Sequence, residues 1–188
     1  MSESPDVMAR ASKVRLLALD VDGVLTDGRL YYGESGEALK AFHSRDGLGL
    51  RLLLDEGLEV AVITARRSSI VVKRCEELRI RRVFVGRDDK RSVLAELSTT
   101  LGIEPAAMAF VGDDVLDLPA LRFVGLPIAV ADAHPRVRTE SALVTSLPGG
   151  KGAVREVADL LLASRGRLDA AIERLFASHL GKGEHDKV

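Results

Sequence analysis

Tryptophan is absent from this chain, and aromatic residues make up only 4% of its 188 positions. A buried core must therefore rest on Leu, Val, Ile and Ala. Cysteine occurs once, at Cys75, so no intrachain disulfide can form. Cys75 lies in a helical pattern with no base beside it, which fits a core position better than a nucleophile. Charge of one sign is also lacking, since 27 basic residues face 28 acidic ones. The densest basic patch, Arg79, Arg81 and Arg82, reads as a solvated helix end, so nucleic acid is not an expected partner. No apolar run reaches the length of a membrane span. The opening MSESPDVMARASKV has no apolar stretch of the kind that forms a signal-peptide core. These absences lead to the expectation of a cytoplasmic protein with no membrane partner.

Short apolar runs alternate with helical patterns. Strands are expected at residues 14–19, 59–63, 82–85, 108–111, 126–130 and 143–144, and amphipathic segments at 47–56, 68–78, 89–101 and 116–122. Strands that read as continuous apolar runs, alternating with helices, point to an α/β fold. The expected fold is a three-layer, Rossmann-like, mostly parallel sheet with helices on both faces. The stretch GRLYYGESGEALKAF leaves no room for a helix. Its good strand formers flank the turn signal GESG, so a projecting β-hairpin is expected at residues 28–42. The expected organisation is a flexible N-terminal tail at 1–13, a core at 14–165, and a C-terminal helix with a flexible tail at 166–188. One face of that last helix carries Leu168, Ile172, Leu175 and Phe176. No repeat or interdomain linker is evident.

The first strand, in LLALDVDGVLTDG, runs straight into Asp20, Asp22 and Asp27. Unpartnered, such carboxylates repel and raise one another's pKa. Other polar groups follow later strands: Thr64 after VAVI, Lys90 in VGRDDK, and Asp113, Asp114 and Asp117 after MAFVG. In an open parallel sheet, the carboxyl ends of the strands converge on one ligand-binding edge. Clustered carboxylates suit a hard cation, and Mg²⁺ is the natural choice beside phosphate. A carboxylate can attack phosphorus, while the metal, Lys90 and the Thr64 hydroxyl hold the other oxygens.

These four groups, in this order, resemble the motifs of the haloacid dehalogenase superfamily of phosphatases. The resemblance implies that Asp20 is the nucleophile, and that Asp22 protonates the leaving alkoxide and then activates water. It implies a Mg²⁺ site formed by Asp20, Asp113 and the backbone carbonyl of Asp22, with Asp114 and Asp117 behind it orienting ligand water and Lys90. Further stretches, AFHSRDGLG, VGDDVLDLPAL, AVADAHP and GGKGAVREV, narrow the resemblance to the small phosphatases of 3-deoxy-D-manno-octulosonate 8-phosphate, which have no large cap domain. That subfamily implies a homotetramer assembled through the hairpins and a place in lipopolysaccharide precursor synthesis.

Three residues are expected to contact substrate. Arg66, just after Thr64, could grip a sugar-acid carboxylate. Asp46 could touch substrate or cap the helix that begins beside it. Lys151 lies in a Gly-rich turn opening a helix, a setting that favours anions. Asp27 fits the hairpin base or a substrate contact rather than a metal. His134, before Pro135, fits a turn, and His43 has no assigned role. Three other readings compete: a phosphatase for a nine-carbon, neuraminate-type 9-phosphate, a catalytically silent binding module on the same fold, and a phosphomutase. The complete set of polar groups argues against the silent module, and the missing cap argues against the mutase, which must keep water from its intermediate.

Overall fold

The computed structural model describes residues 4–180. Residues 1–3 and 181–188 lie outside that range, including the closing GKGEHDKV expected as a frayed tail.

The first described element corrects one expectation. Residues 5–11 of the expected flexible tail form helix α1 (Pro5–Ala11), with Ser4 as N-cap accepting from the Val7 N–H at 3.3 Å and Pro5 in the first turn. Val7 and Ala11, one turn apart, are buried against helix α7 (Ala153–Ala163) and strand β7 (Leu126–Ala129). Two apolar residues in seven give too weak a periodicity to be read from sequence.

Six strands form one parallel sheet. Besides β7 they are β1 (Leu16–Leu19), β4 (Glu59–Thr64), β5 (Arg82–Val85), β6 (Met108–Gly112) and β8 (Leu143–Val144). Their order is β5-β4-β1-β6-β7-β8. All four residues of β1 are buried, as are all five of β6, as doubly covered strands require. The helices that cover the sheet include α2 (Ser44–Asp55), α3 (Ser69–Glu77), α4 (Lys90–Leu101), α5 (Leu118–Leu121), α6 (Pro135–Glu140) and α8 (Leu168–Leu180). Helix α2 packs chiefly on α7, and α4 packs on α5. The segment expected as a short helix at 116–122 is a 3₁₀ turn, Val115–Asp117, running into α5. Helix α6 was not anticipated; His134 caps it, its Nδ1 accepting from the Arg136 N–H at 3.2 Å. In α8, Leu168 and Leu175 pack on the core, whereas Phe176, expected on the same face, is 56% exposed. Cys75 is buried, which pushes its thiol up to about 11 and leaves it inert, as a core residue should be.

The hairpin is present. Strands β2 (Tyr31–Gly33) and β3 (Gly36–Leu39) pair antiparallel in a sheet of their own, with an irregularity between Tyr31 and Tyr32. The chain leaves β1, forms this hairpin and α2, and returns as β4 on one side of β1. Later it crosses to β6 on the other side. Position β1 is thus the switch point of the sheet, where a crevice opens at the carboxyl edge.

Candidate active site

Register brings the strand ends together. Leu19 lies opposite Val62 on one side and Val111 on the other. Thr64 and Asp113 therefore leave the two flanking strands level with each other and one residue beyond Asp20. The loop after β1 turns tightly, the Val21 carbonyl accepting from the N–H groups of Val24, Leu25 and Thr26. Gly23 has φ +92°, and a Cβ there would sit 2.1 Å from Asp113 Oδ2. Only glycine lets the loop and the Asp113 carboxylate approach this closely. Asp27 stays at the hairpin base, where it accepts from the Arg29 N–H at 3.2 Å.

Eight of the residues expected at the site line one open cleft of about 310 Å³: Asp20, Asp22, Thr64, Arg66, Lys90, Asp113, Asp114 and Asp117. Lys90 is buried between two carboxylates, with Nζ 2.9 Å from Asp20 Oδ1 and 2.5 Å from Asp117 Oδ1. Burial alone would lower its pKa, but these two charges more than offset that and hold it cationic. Burial pushes the Asp20 carboxyl up to about 6 even though Lys90 pulls it down. Burial, followed by the charges of Asp20 and Asp117, pushes Asp113 up to about 8. Carboxyl oxygens of Asp20, Asp113 and Asp117 lie within 4.8 Å of one another.

This donor set fits a hard divalent cation, whose charge offsets the burial and the carboxylate repulsion that raise the two pKa values. Asp117 is the least suited of the three to bind it. Its Oδ1 takes Lys90, and its Oδ2 takes the N–H groups of Asp113 at 2.9 Å and Asp114 at 3.4 Å. Asp117 thus sets the positions of Lys90 and of the Asp113 backbone. Asp114 does not touch Lys90; its Oδ1 accepts from the Val115 N–H at 2.7 Å and starts the 3₁₀ turn. Thr64 Oγ1 accepts from the Arg66 N–H at 3.2 Å, leaving its own proton to donate into the cleft.

The hairpin supplies a residue that sequence reading missed. Lys40 reaches Asp22 Oδ1, and its Nζ also lies 3.0 Å from Glu37 Oε1. Arg66 approaches the other Asp22 oxygen at 3.6 Å and donates to Tyr32 Oη at 3.1 Å. A lone lysine beside a predicted turn carries no sequence signal; only the folded hairpin brings it to Asp22.

The chain matches the haloacid dehalogenase-like hydrolase model over residues 82–154. A protein of Escherichia coli (strain B / BL21-DE3), named 3-deoxy-D-manno-octulosonate 8-phosphate phosphatase KdsC, is 50% identical to it over 168 residues, 89% of each chain. This chain belongs to the haloacid dehalogenase-like hydrolases. Among solved structures of that family, the Yersinia pestis 3-deoxy-D-manno-octulosonate 8-phosphate phosphatase superposes with TM-score 0.86 at 45% identity, covering 88% of this chain and 89% of its own. The Moraxella catarrhalis enzyme of the same name, in complex with magnesium, phosphate and a KDO molecule, gives 0.88 at 40% identity, covering 90% and 98%.

Two expected substrate contacts of this hydrolase do not reach the cleft. Asp46 is 1% exposed and lies inside the first turn of α2, where His43 rather than Asp46 holds the cap position. Its Oδ1 accepts from the Arg155 N–H of α7 at 2.8 Å, so it caps a neighbouring helix. Lys151 is exposed on its turn and is not part of the cleft lining. The glycines beside it carry that turn's role instead. Gly150 donates to the Val24 carbonyl at 2.9 Å, and a Cβ on Gly149 would lie 1.7 Å from the Gly23 carbonyl. The GGKG turn is thus a brace under the loop that follows β1. His43 Nδ1 is buried without a partner, beside a gap of about 10 Å³ between α2 and α3, roughly the room one water needs.

Proposed function

We propose that this chain is a Mg²⁺-dependent phosphomonoester hydrolase that converts 3-deoxy-D-manno-octulosonate 8-phosphate to 3-deoxy-D-manno-octulosonate and phosphate. The observation that carries this reading is the Asp20 carboxylate at the sheet's switch point, held by Lys90 and faced by Asp113, in a chain half identical to phosphatases of that name. In this reading the protein works in the cytoplasm, in lipopolysaccharide precursor synthesis. It is a homotetramer assembled through the hairpins.

Each role follows from placement. Lys90 on Asp20 holds that carboxylate in place at the sheet's switch point, from which it attacks phosphorus. Attack forms an aspartyl-phosphate and breaks the bond to the sugar oxygen, which takes a proton from Asp22. Asp22 then accepts a proton from the water that hydrolyses the aspartyl-phosphate, restoring both groups. Lys90 and the Thr64 hydroxyl bind phosphoryl oxygens, and Arg66 at the rim receives the sugar-acid carboxylate. The carboxylates of Asp20 and Asp113 with the Asp22 carbonyl would hold Mg²⁺, which neutralises them and stabilises negative charge on the phosphoryl group.

The test is phosphate release from the eight-carbon 8-phosphate with Mg²⁺, beside a nine-carbon sugar acid 9-phosphate. The expected result is higher kcat/KM on the eight-carbon substrate and loss of turnover in Asp20→Asn with the fold intact. Preference for the nine-carbon ester would overturn the substrate, and substantial activity in Asp20→Asn would overturn the nucleophile.

A further inference from the structure

The hairpin is attached to the core in an unusual way. Its large apolar residues Leu30, Tyr31, Tyr32 and Leu39 are exposed, Tyr32 to 65%. What docks it onto the core is polar. Glu37 accepts from the hydroxyl of Ser68, the residue that caps α3, and Tyr32 takes Arg66. Lys40, just past β3, is the centre of this contact, its side chain only 1% exposed. An ammonium so far from water is stable only with charged partners, and Lys40 has two, Asp22 and Glu37. Asp22 lines the cleft; Lys40 does not. The lysine therefore stands behind the aspartate, on the side away from substrate.

The geometry points to Lys40 as the positioning residue of the acid–base Asp22: the hairpin inserts one cation behind the catalytic carboxylate and fixes its rotamer toward the leaving oxygen. Without that cation, the half-buried Asp22 and Glu37 carboxylates would face each other with no charge between them, and Asp22 would swing away. Arg66, at 3.6 Å and on the exposed rim, is too loosely placed to hold Asp22 alone. This inference rests on the acid–base reading of Asp22 above, and it assigns to the hairpin a part in the chemistry besides any part in assembly.

The experiment compares Lys40→Met, Glu37→Gln and Asp22→Asn with the wild type in Mg²⁺ buffer. Two substrates are used: the 8-phosphate, whose alkoxide needs a proton to leave, and 4-nitrophenyl phosphate, whose phenolate does not. Lys40→Met is expected to lower kcat on the 8-phosphate by about 10- to 100-fold, within the range that general acid–base groups contribute, with KM little changed. On 4-nitrophenyl phosphate, Lys40→Met and Asp22→Asn should both release a burst of nitrophenolate approaching one per site. A slow steady state should follow, because the aspartyl-phosphate forms without an acid but waits for a base. Glu37→Gln, which weakens the seat of Lys40 but keeps the Lys40–Asp22 pair, should lose less than Lys40→Met. Lys40→Arg should recover part of the loss. Should Lys40→Met not fold, Lys40→Gln, which keeps a donor and loses the charge, decides the question.

Unchanged kcat in the Lys40 variants would overturn the inference. So would a raised KM with kcat kept, loss of the burst, or an equal loss in Glu37→Gln. Failure of the substrate reading shows separately, as a wild type inactive on the 8-phosphate, while the Lys40 comparison still reads out on 4-nitrophenyl phosphate.

Discussion

At Asp113 burial and the neighbouring carboxylates act in the same direction, with Lys90 opposing them. Its carboxyl is pushed from an ordinary 3.8 up to about 8 by desolvation and then by Asp20 and Asp117. A group whose pKa is raised on folding favours the protonated folded state. Its stabilising contribution is complete below about pH 4 and is lost as pH rises toward 8; Asp20, raised to about 6, adds to the same trend. A cation binds the deprotonated pair, so it competes with protons across that window. The rise in melting temperature on adding Mg²⁺ should therefore be larger at pH 8 than at pH 6, and EDTA should abolish it. A Mg²⁺-induced rise that is equal at both pH values, measured by differential scanning fluorimetry, would contradict this assignment.

Between elements, Asp46 ties the start of α2 to the start of α7, the two helices that pack most closely on each other. Its carboxylate takes the Arg155 N–H, one of the orphan donors at a helix start. Burial raises its pKa, chiefly by desolvation, while the bonds to α7 pull it down. Replacing it leaves those donors unsatisfied in a closed site. Asp46→Ala should cost about 1–2 kcal/mol of stability, as lost helix caps do, and leave KM for the 8-phosphate unchanged. Urea unfolding and steady-state kinetics check the two halves. A KM raised tenfold with stability unchanged would restore Asp46 to the substrate. The GGKG turn teaches the same lesson, since its glycines pack closely against the Gly23–Thr26 loop.

Over the whole molecule, four of the nine exposed large apolar residues among the described residues lie on the hairpin, at Leu30, Tyr31, Tyr32 and Leu39. Large apolar residues gathered on one projecting element mark an interaction surface. In the tetramer proposed above they are the central contact. Replacing Tyr31 and Leu39 together by Ser should shift the protein toward smaller species in analytical ultracentrifugation, without unfolding the parallel sheet. An unaltered tetramer would place the assembly contact elsewhere. Among the described residues no helix is long and apolar enough to cross a membrane.

What the sequence determined by itself was local and periodic. Continuous apolar runs placed all six sheet strands within two residues of their observed limits, because a strand covered on both faces leaves few polar positions to disguise it. The polar residues that follow those runs gave Asp20, Thr64, Lys90 and Asp113, because a parallel sheet brings its strand ends to one edge whatever the loop lengths. The tertiary structure decided everything that depends on which segments become neighbours. It turned Asp46 toward α7, used the GGKG glycines as a brace, and brought Lys40 from the hairpin to Asp22. Each is a single polar or small residue whose partner lies far from it in sequence or across a turn. Periodicity records which face of an element is buried, but not which group on another element will meet it there.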